Sequence, residues 1–162
     1  MNALALCAVA RRGLRDYVPA LDACRRAQDI ASSLLSSSCD KHEPDAPRNE
    51  IRIRKELLRT RLESGESELL RPAEQLTSDC RAALREFPAD PSLLEYEPEI
   101  IELVGDAAAA AGVDKKASSA WSEALDRQRA LLVHEHNDDI VLARGIARLT
   151  AKLQPGDPRS TP

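Results

Sequence analysis

Arg48, Arg52, Lys55 and Arg59 stand at i, i+4, i+7 and i+11. On a helix that spacing puts four cations on one face. Such a stripe in a groove can take a carboxylate or an acidic peptide through charge-assisted hydrogen bonds. The blander alternative is a solvated face, paired with the acidic face formed by Glu99, Glu102 and Asp106. The second chemistry-bearing cluster is His134-Glu135-His136, followed by Asn137-Asp138-Asp139. On a helix, residues i and i+2 point about 200° apart, so the two imidazoles do not converge on one ion. An HExxH spacing is absent, and His42 stands beside Glu43 in a proline-rich stretch without a set of further ligands. No metal site is expected.

Catalysis has no carrier in these residues. No local Cys/His or Ser/His/Asp arrangement pairs a nucleophile with a base. The six glycines form neither GxGxxG nor GxxxxGK, so no phosphate-cradling loop and no cofactor is expected. The four cysteines, Cys7, Cys24, Cys39 and Cys80, show no CxxC spacing. They read as reduced thiols of a cytoplasmic protein, with a Cys7–Cys24 bridge conceivable only in an oxidising compartment. The single Trp121 reads as a core plug between the third hairpin and a fourth one after it rather than as a stacking platform.

These residues need elements to carry them, and the composition says which. Of 162 residues, 43% are hydrophobic and only 2% aromatic, with Ala, Leu, Arg and Glu prominent. That favours helices and disfavours a β-sandwich or barrel. The net charge of −4 and pI near 5.5 weigh against a nucleic-acid binder. No apolar run reaches the ~20 residues of a membrane span. Residues Met1–Arg12 are apolar and then basic, the reverse of a secretory signal.

Helical periodicity and breakers predict an all-α chain. The first hairpin is expected at about 2–35, with its first helix stopping near Gly13. A polar loop follows at 36–49. The second hairpin is expected at 49–87 and the third at 92–134, with a kink or restart at Pro98. A terminal helix at 138–153, led by Asp138-Asp139, and a mobile tail at 154–162 complete the reading.

The hairpins repeat. A shift of 97 residues places Leu4 on Ile101, Ala20 on Ala117, Cys24 on Trp121 and Ala27 on Ala124. A shift of 56 places Ala20 on Leu76, Cys24 on Cys80 and Ala27 on Ala83. Small residues at two of these positions allow close approach, while a larger one fills the gap between hairpins. At these residues the chain resembles the tetratricopeptide repeat family. Ile101-x2-Val104-Gly105-x2-Ala108, then Gly112, then Ala117-x3-Trp121-x2-Ala124 carries the resemblance most fully. The departures are Leu4 and Ile101 where the family has a bulky aromatic, and irregular spacing at 36–49 and 65–71.

The resemblance implies a short α-solenoid of about three antiparallel helical hairpins plus a C-terminal helix. It also implies a groove lined by the first helix of each hairpin, into which a partner's peptide or helix docks. By helical phase the inner face carries Asn2, Ala5, Leu6, Val9 and Arg12 from the first hairpin. The second contributes Arg52, Lys55, Glu56 and Arg59, and the third Glu99, Glu102, Leu103 and Asp106. The expected partner-binding residues are Leu6, Val9, Arg12, Arg52, Lys55, Arg59, Leu103 and Asp106. The subfamily that clamps C-terminal carboxylates places Lys and Asn where this chain has Ala5 and Val9, so that specificity is not implied.

The expected function is therefore a non-enzymatic scaffold or adaptor that binds another protein. Two alternatives stand beside it. One is a regulatory segment of a larger bacterial signalling protein, a kinase or a transcription regulator, although kinase motifs are absent from this chain. The other is self-association as a homodimer through an uncapped apolar end.

Overall fold

A computed structural model describes residues 2–37, 45–135 and 140–154. Among these residues there are seven helices and no strand. In chain order they are α1 (Asn2–Gly13), α2 (Tyr17–Ser37), α3 (Asp45–Glu63), α4 (Leu70–Glu86), α5 (Pro91–Ala110), α6 (Asp114–Glu135) and α7 (Ile140–Leu153). Helix overlaps the expected loop at 36–49 from both sides. Helix α2 runs to Ser37 and α3 already begins at Asp45. Pro47 falls in the first turn of α3, where a missing N–H costs nothing. The expectations for Cys39, His42, His136, Asp138-Asp139 and residues 155–162 lie outside the described residues, as does the side chain of His134.

Local chemistry sets the ends. Asp90 caps α5 by accepting from the Leu93 amide at 3.0 Å, and Pro91 occupies the first helical position. Gly112, at φ +72°, ends the same helix, and the Val113 amide turns back to the Ala108 carbonyl at 2.8 Å. The first helix ends at Gly13, as expected, and the left-handed position of the α1–α2 turn falls on Arg15, at φ 59°. Of the kink or restart expected at Pro98, the restart is absent: α5 runs as one helix from Pro91 to Ala110, with Pro98 inside it and buried. Neighbouring packing on the buried ring holds the segment helical despite the lost backbone bond.

Each helix packs on the next, and α3 packs in addition on both α1 and α5. The main core lies among α3 to α7, around Leu69, Leu76, Leu93, Ile100 and Leu149, all buried. The α1–α2 end is built on small side chains instead, namely Ala8, Ala23 and Cys24, with Ala27, Ala31 and Ile53 beside them. The recurring stripe of the second helices is buried apart from the half-buried Trp121: Ala20, Cys24 and Ala27; Leu76, Cys80 and Ala83; Ala117 and Ala124. Gly105 explains the tightest approach. A Cβ there would overlap the Trp121 ring, so α5 and α6 meet across a bare backbone. Trp121 is half-buried, and its Nε1–H donates to Asp106 at 2.9 Å. It packs against the core of the third hairpin, and Lys152 of α7 sits 5.6 Å over its ring.

Candidate functional site

The odd-numbered helices are joined by a run of ion pairs whose signs alternate from helix to helix. Arg12 of α1 meets Glu56 of α3 at 2.6 Å and Glu63 at 3.5 Å. Lys55 and Arg59 of α3 meet Glu99 of α5 at 2.5 and 3.1 Å. Glu102 of α5 receives Arg148 of α7 through two bonds of 2.6 Å, and Lys152 at 2.8 Å. Lys152 also meets Asp106 at 2.5 Å. Helix α5 is thus an acidic spine held between the basic faces of α3 and α7.

The cationic stripe does not stand free. Lys55 is only 5% exposed, wedged between Glu99 and Glu56, with its ammonium 4.4 Å from the centre of the Tyr96 ring. Arg59 is engaged by Glu99 and lies 3.9 Å from Glu56. Arg48 pairs with Asp45 and approaches Asp90 at 3.5 Å. Arg52 is half-buried, and its charge counters the upward push that burial exerts on the Tyr96 phenol. The charge match with the acidic face is divided: Glu99 answers α3, whereas Glu102 and Asp106 answer α7.

Glu99 and Glu102 show the balance of forces in this layer. Burial alone would push both carboxyls up. For Glu99 the Lys55 and Arg59 charges and hydrogen bonds win, and for Glu102 those of Arg148 and Lys152 do, so both lie below the usual range. They remain ionised and fix the geometry of their partners. Burial pushes the Cys24 thiol up, and it pushes Cys80 to about 12. Burial therefore disfavours the thiolate, the nucleophilic form, at both. Cys7 is exposed while Cys24 is buried, and both are free thiols.

Between these helices lies a hollow of about 320 Å³ whose wall draws on α1, α3, α5 and α7. Of the expected binding residues, Arg12, Arg59, Leu103 and Asp106 line it together. Leu103 forms its floor, being 3% exposed. Leu6 and Val9 are exposed on α1 but outside this lining, and the half-buried Arg52 and buried Lys55 of α3 also lie outside it. The side chains of Asn2 and Ala5 fall outside the described residues. Glu102, expected on the inner face, also lines it, and Leu62, Glu63, Arg148 and Lys152, which were not expected from the sequence, complete the wall. Their signal was present: Arg148 and Lys152 are four residues apart, on one face of a helix read only as a terminal element.

A second hollow of about 320 Å³ adjoins the first, sharing Arg59 and Arg148, and reaches Gln128 of α6. Among the described residues no group of three or more His, Cys, Asp or Glu side chains is disposed to hold a metal ion. No helix there is long and apolar enough to cross a membrane. Comparison with known proteins returns no match to a family model, a curated protein or a solved structure.

Proposed function

We propose that the chain is a non-catalytic interaction module, a short α-solenoid of tetratricopeptide-like hairpins. Its odd-numbered helices form the face that receives a peptide or helix of a partner protein. The observation that carries this reading is the hollow walled by all four odd-numbered helices, with Leu103 as floor and Arg12, Arg59 and Asp106 around it. The packing of α1 on α3 and of α3 on α5 supports the stacked-hairpin arrangement. Because cations and anions in the wall already satisfy one another, the face selects by geometry and local polarity rather than by net charge. Apolar contacts supply affinity, with Leu6 and Val9 extending the surface at the α1 edge. A reducing, cytoplasmic location is part of this reading.

Glu63, which is 43% exposed on its side chain and lines the hollow, allows a test that leaves the core untouched. Glu63→Trp blocks the mouth, while Glu68→Trp adds the same bulk at an exposed position outside that lining. A protein captured from native extract by wild type and Glu68→Trp, but lost with Glu63→Trp, supports the groove. Equal capture by all three refutes it. Circular dichroism confirms the fold of each variant.

Exposed apolar side chains favour self-association as a second reading. Leu14 and Val18 are 81% and 80% exposed, close together at the α1–α2 turn. Mass measured against concentration tests it: a rise that Leu14→Ser/Val18→Ser removes would support it, and a constant monomer mass would reject it.

A further inference from the structure

A third hollow of about 320 Å³ lies between α4 and α6, with Ile101 and Val104 of α5 and Ala120 of α6 in its floor. Ion pairs bridge it from helix to helix. Glu74 of α4 meets Lys116 of α6, and Arg81 of α4 meets Glu123 of α6. Both pairs join residues 42 apart in sequence, so the two helices run side by side in one constant register. The next turn in that register sets Arg85 opposite Arg127. There the alternation of sign fails, and two cations share one rung.

Neither cation is fully answered. Arg85 is exposed, lines the hollow and forms no ion pair among the described residues. Arg127 is exposed and approaches Glu97 only at 3.7 Å. Glu97 already accepts from Arg81 at 3.1 Å, and Arg81 also holds Glu123. Three arginines thus share two carboxylates, and one positive charge is left over at this end of the cleft. A single anion removes that surplus. Guanidinium groups present their N–H donors as a planar fork that fits a carboxylate. Ser78, exposed in the same lining and on the helical face of Arg81 and Arg85, adds a hydroxyl donor. The apolar floor lies beneath this charged rim, an arrangement that suits a molecule with its charge at one end. The volume matches the smallest small-molecule pockets, ~300 Å³.

From this placement we infer that the α4–α6 cleft binds a small aliphatic carboxylate. Its carboxylate group lies between Arg85 and Arg127, and its short apolar chain runs over Ile101, Val104 and Ala120. The site is separate from the peptide face of the odd-numbered helices and does not depend on it.

The test is an NMR titration of the full chain with hexanoate. The Arg85 and Arg127 Nε–H signals and the Ala120 amide should shift together and saturate. Hexanamide, of the same size without the charge, should bind roughly tenfold more weakly or worse, and so should acetate, which has the charge without the chain. Arg85→Gln and Arg127→Gln should each weaken hexanoate binding about fivefold or more. Arg129→Gln, exposed at another position of α6 and outside the lining, should change nothing. Circular dichroism confirms the fold of each variant. Equal binding of acetate and hexanoate would reduce the site to a bare anion contact and overturn the inference. So would hexanoate binding unchanged in both glutamine variants at Arg85 and Arg127, or the absence of a saturable shift at millimolar concentration. Binding of a capped glutamate peptide in place of hexanoate would assign the two arginines to an acidic side chain of a partner protein, which also refutes the small-molecule site.

Discussion

Replacing Gly105 with alanine should destabilise this protein, although helix propensity alone argues the other way. In an exposed helix interior the change would gain ~1 kcal/mol. Here a Cβ would overlap Cδ1 and Nε1 of Trp121 and stand 3.0 Å from Cγ. The indole is rigid, so either the ring swings away or α5 and α6 part. Overpacking of this kind costs about 1–3 kcal/mol. A displaced ring also loses its bond to Asp106, worth about 1 kcal/mol. Setting about 3 kcal/mol of cost against ~1 kcal/mol of gain leaves a net loss of about 2 kcal/mol. For a chain of this size that lowers the thermal midpoint by roughly 4–8 °C. Scanning calorimetry measures it, and Gly105→Ala/Trp121→Leu closes a double-mutant cycle. The double variant should recover part of the loss. A single variant as stable as wild type would refute close approach at this point.

Three further outcomes follow from the packing and charge of the same layers. Glu102→Gln removes the carboxylate shared by Arg148 and Lys152 and should cost about 1–3 kcal/mol. It should speed hydrogen exchange in Ile140–Leu153, and unchanged exchange there would mean that apolar packing of Ile146, Leu149 and Leu153 holds α7 without these ion pairs. Glu99 and Glu102 are both depressed in the fold, so the stability they contribute is fully present above the unfolded value of ~4.3 and is lost as pH falls through their lower folded values. Urea midpoints should therefore drop below about pH 4, less steeply in Glu99→Gln; identical slopes would reject the assignment. Among the described cysteines, a thiol reagent should label exposed Cys7 in the native state and buried Cys24 and Cys80 only on unfolding. Mass spectrometry of the labelled chain reads this directly, and rapid native labelling of Cys80 would contradict its burial.

The sequence makes the helices and the buried stripe of the second helices legible because both follow from a 3.6-residue period. Ala20, Cys24 and Ala27 could be matched to Ala117, Trp121 and Ala124 on that basis alone. Periodicity names a face but not its cover. Arg52, Lys55 and Arg59 share one helical face, yet Lys55 lies beneath Glu99 and Tyr96 at 5% exposure. That depth depends on how far apart α3 and α5 sit, which no residue within α3 determines. The same limit hid α7. Arg148 and Lys152 gain meaning only when Glu102 and Asp106 stand opposite, 46 residues or more away in sequence. Pro98 misled for a local reason: its backbone preference argues for a break, and tertiary packing outweighs it.

The most direct test of the account is to find which face a ligand covers. Hydrogen exchange read by mass spectrometry, with and without a library-selected peptide, locates it without any substitution. The account predicts slower exchange in α3, α5 and α7 around Leu62, Leu103 and Arg148, with α2 and α4 unchanged. Protection confined to α2 and α4, with the odd-numbered helices unaffected, would contradict it.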